Sequence, residues 1–142
     1  MYDKMTLENG VRIVSEKMPN VRSVSIGIWI GVGSRNEKSA ENGAAHFIEH
    51  MLFKGTKTRS AAELAALMDS IGGQINAFTT RENTCYYARV PNYHLDTAID
   101  VLTDMFFNSL FAEEDVSAER GVILEEIGMY EDSPDEIGRA HV

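Results

Sequence analysis

The chain has 142 residues, 44% of them hydrophobic, enough apolar material for one domain with its own core. Lys and Arg number 13 against 22 Asp and Glu, and the net charge of −9 disfavours nucleic acid or an anionic membrane as the partner. No stretch is long and apolar enough to span a bilayer, no signal or presequence pattern opens the chain, and the single cysteine, Cys85, allows no internal disulfide, so a cytoplasmic setting is expected.

The first predicted element is a hairpin over Thr6 to Ile13, with Asn9-Gly10 placed for a type I′ turn. The clearest strand follows: Val24, Ile26, Ile28, Ile30 and Val32 alternate with Ser23, Ser25, Gly27, Trp29 and Gly31, giving one aliphatic face to pack on helices. Gly31 to Asn42 reads as a polar loop. Ala44 to Phe53 reads as a helix stopped before Gly55, and Ser60-Ala61-Ala62-Glu63 is a capping box opening a second helix that ends at Gly72-Gly73. Gln74 to Thr80 and Thr84 to Val90 are predicted strands. In the latter, Thr84, Tyr86, Ala88 and Val90 share a core-facing side, and Cys85 reads as a small buried residue. A helix is expected from about Tyr93 to Leu110, on the spacing of Leu95, Ile99, Leu102 and Phe106, and another from near Glu113 to before Pro134. This order predicts an α+β domain, a mainly antiparallel sheet with helices packed on one face. Asp135 to Val142 looks like the start of a further helix, so the chain is expected to be a fragment of a longer protein.

The chemistry concentrates in His46-Phe47-Ile48-Glu49-His50. On a helix, His46 and His50 lie one turn apart on one face and can bind a single Zn²⁺, while Glu49 borders that face and can reach a water on the metal. Ala44, Ala45, Phe47, Ile48, Met51, Leu52 and Phe53 make the rest of this helix apolar. Two imidazoles and a carboxylate in such surroundings are costly unless something compensates them, and a metal does so. A catalytic zinc takes a third protein ligand. Glu119, Ile123, Glu126 and Tyr130 share one face of the last helix, and periodicity leaves ligand and surface equally open for Glu119 and Glu126. Glu113, Glu114, Asp115, Glu125 and Glu131 read as a solvated surface, His94 and His141 as surface histidines, and Lys54 as the partner of an acid the sequence does not identify.

Several stretches together resemble the pitrilysin/insulinase family of inverted-motif zinc peptidases, and within it the bacterial relatives of the mitochondrial processing peptidase β subunit. They are Gly33-Ser34-Arg35-Asn36-Glu37, Gly43 to Met51, Phe53-Lys54-Gly55-Thr56, Asn76-Ala77-Phe78-Thr79-Thr80-Arg81-Glu82, and Glu119-Arg120-Gly121-Val122-Ile123-Leu124-Glu125-Glu126. The resemblance implies a processing-peptidase-like fold and one Zn²⁺ per chain, held by His46, His50 and Glu126. It implies Glu49 as general base and Glu119 as an auxiliary acid near the metal. It also places Asn76, Ala77, Phe78 and Thr79 along the peptide substrate, as an edge strand taking the substrate as an added strand. Family members are built from two similar halves on one chain or two. Residues 1–142 are therefore expected to be the N-terminal part of the catalytic domain of a bacterial zinc endopeptidase acting on unfolded peptides. The remaining half or a homologous subunit is the implied partner, self-association through exposed apolar surface is expected, and the isolated piece should be weakly active or inactive. Two alternatives are a non-catalytic peptide-binding scaffold of the same fold, which the intact motif opposes, and a closed structural zinc site using Cys85.

Overall fold

The computed structural model describes residues 2–41 and 43–131, with the backbone alone for residues 41 and 126–131. The expected helix start at Asp135, the stop before Pro134 and His141 lie outside the described residues. In chain order the elements are β1 (Tyr2–Thr6), β2 (Arg12–Glu16), β3 (Ser23–Ile30), α1 (Ala44–Met51), α2 (Ala61–Ser70), β4 (Gln74–Thr79), β5 (Thr84–Pro91), α3 (Leu95–Phe107) and α4 (Glu113–Glu131). Short 3-10 turns at Ser34–Asn36 and Ser39–Glu41 structure the polar loop after β3. The α+β class and the antiparallel pairing are as the sequence predicts.

Strands β1 and β2 form a two-stranded sheet in which Thr6 opposes Arg12. Their turn is not type I′. The amide of Gly10 donates to the Leu7 carbonyl, the Leu7 amide donates to the Val11 carbonyl, and of the turn residues only Gly10 has a positive φ, 91°. A three-residue loop closed by a left-handed glycine fits the right-handed twist of the flanking strands without forcing Asn9 into that conformation.

The second sheet has the order β3-β5-β4, antiparallel throughout, so β4 is an edge strand among the described residues. Period-two alternation divides it into two faces. Tyr86, Ala88 and Val90 of β5 are buried in a core with Leu52, Leu64, Met68, Ala98, Val101, Leu102 and Met105 from the helices, and Val24, Ile26, Ile28 and Ile30 of β3 pack against it. Val32 departs from expectation: it lies beyond β3 and is 48% exposed, because the strand ends at Ile30. Cys85 is buried on the opposite face of β5, beside Trp29 and Phe78 in the pairing register. In α2, the Ser60 side chain accepts from the Glu63 amide as the capping box predicts, and Leu64 and Met68 face the core. Helix α3 is shorter than expected at both ends, a 3-10 turn over Asn92–His94 preceding it.

The loop leaving α1 is tied to α3 through one buried carboxylate. Asp104 accepts hydrogen bonds from Thr56 Oγ1 at 2.7 Å, Thr58 Oγ1 at 3.3 Å, an Arg59 guanidinium nitrogen at 3.0 Å and Asn108 Nδ2 at 3.0 Å. Burial by itself raises the Asp104 pKa, but the hydrogen bonds from Thr56, Asn108 and Arg59, together with the Arg59 charge, outweigh it and hold the group below its ordinary 3.8. A depressed carboxyl pKa contributes stability that is complete above the ordinary value and is lost as pH falls through the lowered one. Asp104→Ala leaves four donors without their acceptor and is expected to cost about 2–3 kcal/mol at neutral pH. Urea titrations of both proteins should show that gap narrowing once the pH falls below 4 and unchanged between pH 5 and 7.

Candidate metal centre

Helix α1 has only eight residues, too few to persist on its own propensity. Its start is held by an acid from the preceding loop. Glu37 accepts from the Gly43 and Ala45 amides, both at 2.8 Å, satisfying two of the donors that a helix N-terminus leaves open and placing negative charge at its positive end. Gly43 has φ 85°, which swings the chain from loop into helix. The loop is in turn fixed to the turn after β4: the Ser34 and Arg35 amides donate to the Thr80 and Arg81 carbonyls. A Cβ on Gly33 would sit 2.3 Å from the Thr80 oxygen, so only glycine permits this approach. Arg35 and Glu82 form an exposed ion pair across the same junction.

On α1 the expected face forms. His46 Nε2 and His50 Nε2 lie 2.9 Å apart. One ligand atom from each of His46, Glu49 and His50 falls within 4.8 Å of the others, and they make up a group of possible metal ligands among the described residues. The other nitrogen of His50 is held from α4: Nδ1 donates to Glu119 Oε2 at 2.9 Å. A carboxylate can only accept, so Nδ1 carries the proton of this contact, and the ring is held with Nε2 turned toward His46. These atoms fit a divalent metal, with two imidazole nitrogens aimed at one place and the donor hydrogen bond on the far side of His50 that ligating histidines usually make.

Glu119 is 6% exposed. Its second oxygen meets Lys54 Nζ at 2.7 Å, which answers the question of which acid Lys54 pairs with. The Lys54 contact lowers the Glu119 pKa most; burial opposes it, and His50 adds to the lowering. Ile123, one turn on, is also buried, so the Glu119/Ile123 face of α4 turns inward as its periodicity predicts. The Glu126 backbone continues α4, but its side chain lies outside the described residues, as does that of Tyr130. Glu113, Glu114 and Glu125 are exposed, as expected of a solvated surface.

Glu49 Oε2 accepts a hydrogen bond of 2.5 Å from Thr79 Oγ1 at the end of β4. Tyr86 lies close enough that burial first, and then the Glu49 charge, raise its phenol pKa. The four expected substrate residues split by strand alternation. Ala77 and Thr79 face the helices, while Asn76 and Phe78 face the other way. Asn76 Oδ1 accepts from the Ala77 amide, and Phe78 contacts Trp29 and Tyr87 at ring separations of 5.5 and 6.0 Å. The structure therefore brings Thr79 to Glu49 and leaves Phe78 on the opposite face. Cys85 shares that opposite face and is absent from the possible ligand group, so the closed-site alternative gains no support. Glu37 and Asp104 are the positioning residues that sequence reasoning missed. An acid six residues ahead of a helix glycine carries no periodic signal.

The Insulinase (Peptidase family M16) model matches residues 12–142. The chain belongs to this family. Among relatives, the Bacillus subtilis protein named "uncharacterized zinc protease YmxG" is 58% identical over 137 residues, covering 96% of this chain and 34% of that protein. A Streptomyces coelicolor zinc protease of similar name is 56% identical over 131 residues, covering 92% of this chain and 28% of its own length. A solved protease from Helicobacter pylori superimposes with a TM-score of 0.84 at 30% identity, over 89% of this chain and 31% of that one. The chain thus spans about a third of the length of the relatives it matches. No described helix is long and apolar enough to cross a membrane.

Loss of the Glu37 cap should be visible without any metal. Glu37→Ala is expected to lower unfolding free energy by about 1–2 kcal/mol, and Glu37→Gln, which keeps an acceptor, by less. Gly33→Ala should cost about 1–3 kcal/mol because the neighbours it meets are backbone atoms that cannot turn aside. Denaturant titrations of the three variants check both expectations; an unaffected Gly33→Ala would mean that the loop does not approach Thr80 this closely.

Proposed function

We propose that this chain is the zinc-binding, catalytic part of a metalloendopeptidase that hydrolyses peptide bonds in unfolded peptides. The observation that carries this reading is the convergence of His46 Nε2 and His50 Nε2 beside Glu49, with His50 held from behind by Glu119. His46, His50 and Glu126 would hold one Zn²⁺ per chain, the third on the strength of the family motif. When bound, the metal supplies Lewis acidity toward the scissile carbonyl and lowers the pKa of a coordinated water.

The protein's own groups do the rest. Glu49 takes the proton from the attacking water and returns it to the leaving amine. Thr79 donates to Glu49 Oε2, which leaves the other carboxylate oxygen for that proton. Glu119 is a positioning residue, fixing the His50 tautomer and ring plane while Lys54 keeps it ionised. The exposed edge of β4 offers backbone groups on which an extended peptide can add as a strand, with Asn76, Ala77, Phe78 and Thr79 alongside it.

Residues 1–142 form the N-terminal part of a longer, two-half protein of cytoplasmic, bacterial setting, and efficient turnover needs the missing half or a homologous subunit. Exposed apolar side chains such as Tyr2, Met5, Val14 and Trp29 favour self-association of the isolated piece. Glu49→Gln should abolish peptide cleavage by the full-length enzyme while its zinc content stays at one per chain; a scaffold protein would show no turnover to lose. Glu126→Gln should strip the zinc, measured by elemental analysis after dialysis, and retention of a full equivalent would refute the assigned third ligand. Glu119→Gln should weaken zinc retention about 10–100-fold and be partly rescued at high zinc, as for a group that orients a ligand.

A further inference from the structure

Thr79 faces two ways. Its hydroxyl reaches Glu49. Where its backbone points follows from the strand register. Just beyond the last pair of β4 and β5, Thr79 with Thr84, the Thr80 amide donates to the Asn83 carbonyl. Opposed residues of an antiparallel ladder alternate between pairs that exchange backbone hydrogen bonds and pairs that do not. Thr80 with Asn83 is of the first kind, so Phe78 with Cys85 and Asn76 with Tyr87 are too. Ile75, Ala77 and Thr79 therefore turn their N–H and C=O groups away from β5. The Ala77 amide agrees: it donates to Asn76 Oδ1 at 2.8 Å rather than across the ladder. In the order β3-β5-β4 no described strand lies on that side.

The two directions of Thr79 are mechanically linked. Threonine is branched at Cβ and has few χ1 positions open to it, so the direction of Oγ1 follows that of the backbone. Oγ1 has one proton, and it is given to Glu49. A peptide that pairs with the outward groups of Thr79 fixes the backbone of the last residue of β4, and with it the hydroxyl and the carboxylate it holds. We propose that Thr79 is a positioning residue through which a peptide added to β4 aligns Glu49, so that the base takes up its working orientation when substrate is in place. The inference rests on the peptidase and strand-addition readings above and deepens them by linking the base to the bound strand. Pairing at Thr79 then raises rate rather than affinity. A rival route from strand to helix exists. The Thr80 and Arg81 carbonyls accept from the Ser34 and Arg35 amides, and the loop that carries those amides holds the start of α1 through Glu37.

The full-length protein carries the test. In its zinc-free form, a peptide substrate of about ten residues, long enough to run the length of β4, should slow amide hydrogen exchange in residues 74–79 and also in residues 44–51 of α1. In Thr79→Val, which keeps the shape and removes the hydroxyl, the same peptide should still protect 74–79 and leave exchange in 44–51 unchanged. With zinc bound, Thr79→Val should lower kcat about 10–30-fold with KM within about twofold, and Thr79→Ser should restore most of the rate. Exchange in 44–51 that does not respond to peptide in the unaltered protein overturns the proposal, whatever the variants do. Protection of 44–51 that survives Thr79→Val assigns the link to the turn and Glu37 and also overturns it, as does an undiminished kcat or a rise in KM alone. Glu49→Gln separates this inference from the reading beneath it: turnover that persists there removes the peptidase mechanism, whereas exchange in the zinc-free protein reports on Thr79 alone.

Discussion

The Glu119 carboxylate, gripped by Lys54 on one oxygen and by His50 on the other, is the contact on which the rest of the centre depends. It joins α1 to α4, two helices far apart in the chain. A carboxylate this buried is costly by itself, and the Lys54 ammonium and the His50 ring N–H at hydrogen-bond distance are what offset the cost. The same contact fixes which ring nitrogen of His50 faces α4. Were Glu119 elsewhere, the ring could turn about its Cβ bond, and Nε2 would have no fixed direction.

Around that contact the protein restrains α1 at every point where a short helix would fray. Glu37 holds the amides at its start, the turn after β4 clamps the Glu37 loop through Gly33, and the Asp104 network pins the segment that follows its end. Thr79 reaches Glu49 from the side. Each restraint comes from a different element, so the geometry of three side chains on one face reflects much of the domain. Such restraint from several elements holds the side chains of α1 in one arrangement.

The three-stranded sheet sorts the surrounding residues by chemistry. Its helix face supplies Tyr86, Ala77 and Thr79 to the core and the Glu49 side. Its other face carries an aromatic group of Trp29, Phe78 and Tyr87 near one end and Arg89 near the other. Among the described residues β4 is the edge of this sheet, with one face packed on the helices.

Local sequence determined most of the elements. The aliphatic alternation of β3, the Ser60 capping box and the one-turn spacing of His46 and His50 are all set by short-range periodicity, and the described structure matches them. The turn at Asn9-Gly10 and the reach of β3 to Val32 differed, since turn type and strand ends depend on which partner strand is available. The family stretches marked Glu37, Lys54 and Glu119 as members of a pattern, without saying what each touches. That was decided only by tertiary structure. Hydrogen bonds from the Gly43 and Ala45 amides to Glu37, from Lys54 to Glu119 and from Arg59 to Asp104 join residues whose separation in sequence bears no relation to any helical or strand repeat. The sequence by itself specified which side chains share a face; the packing of α4 and β4 against α1 specified which of those faces meet.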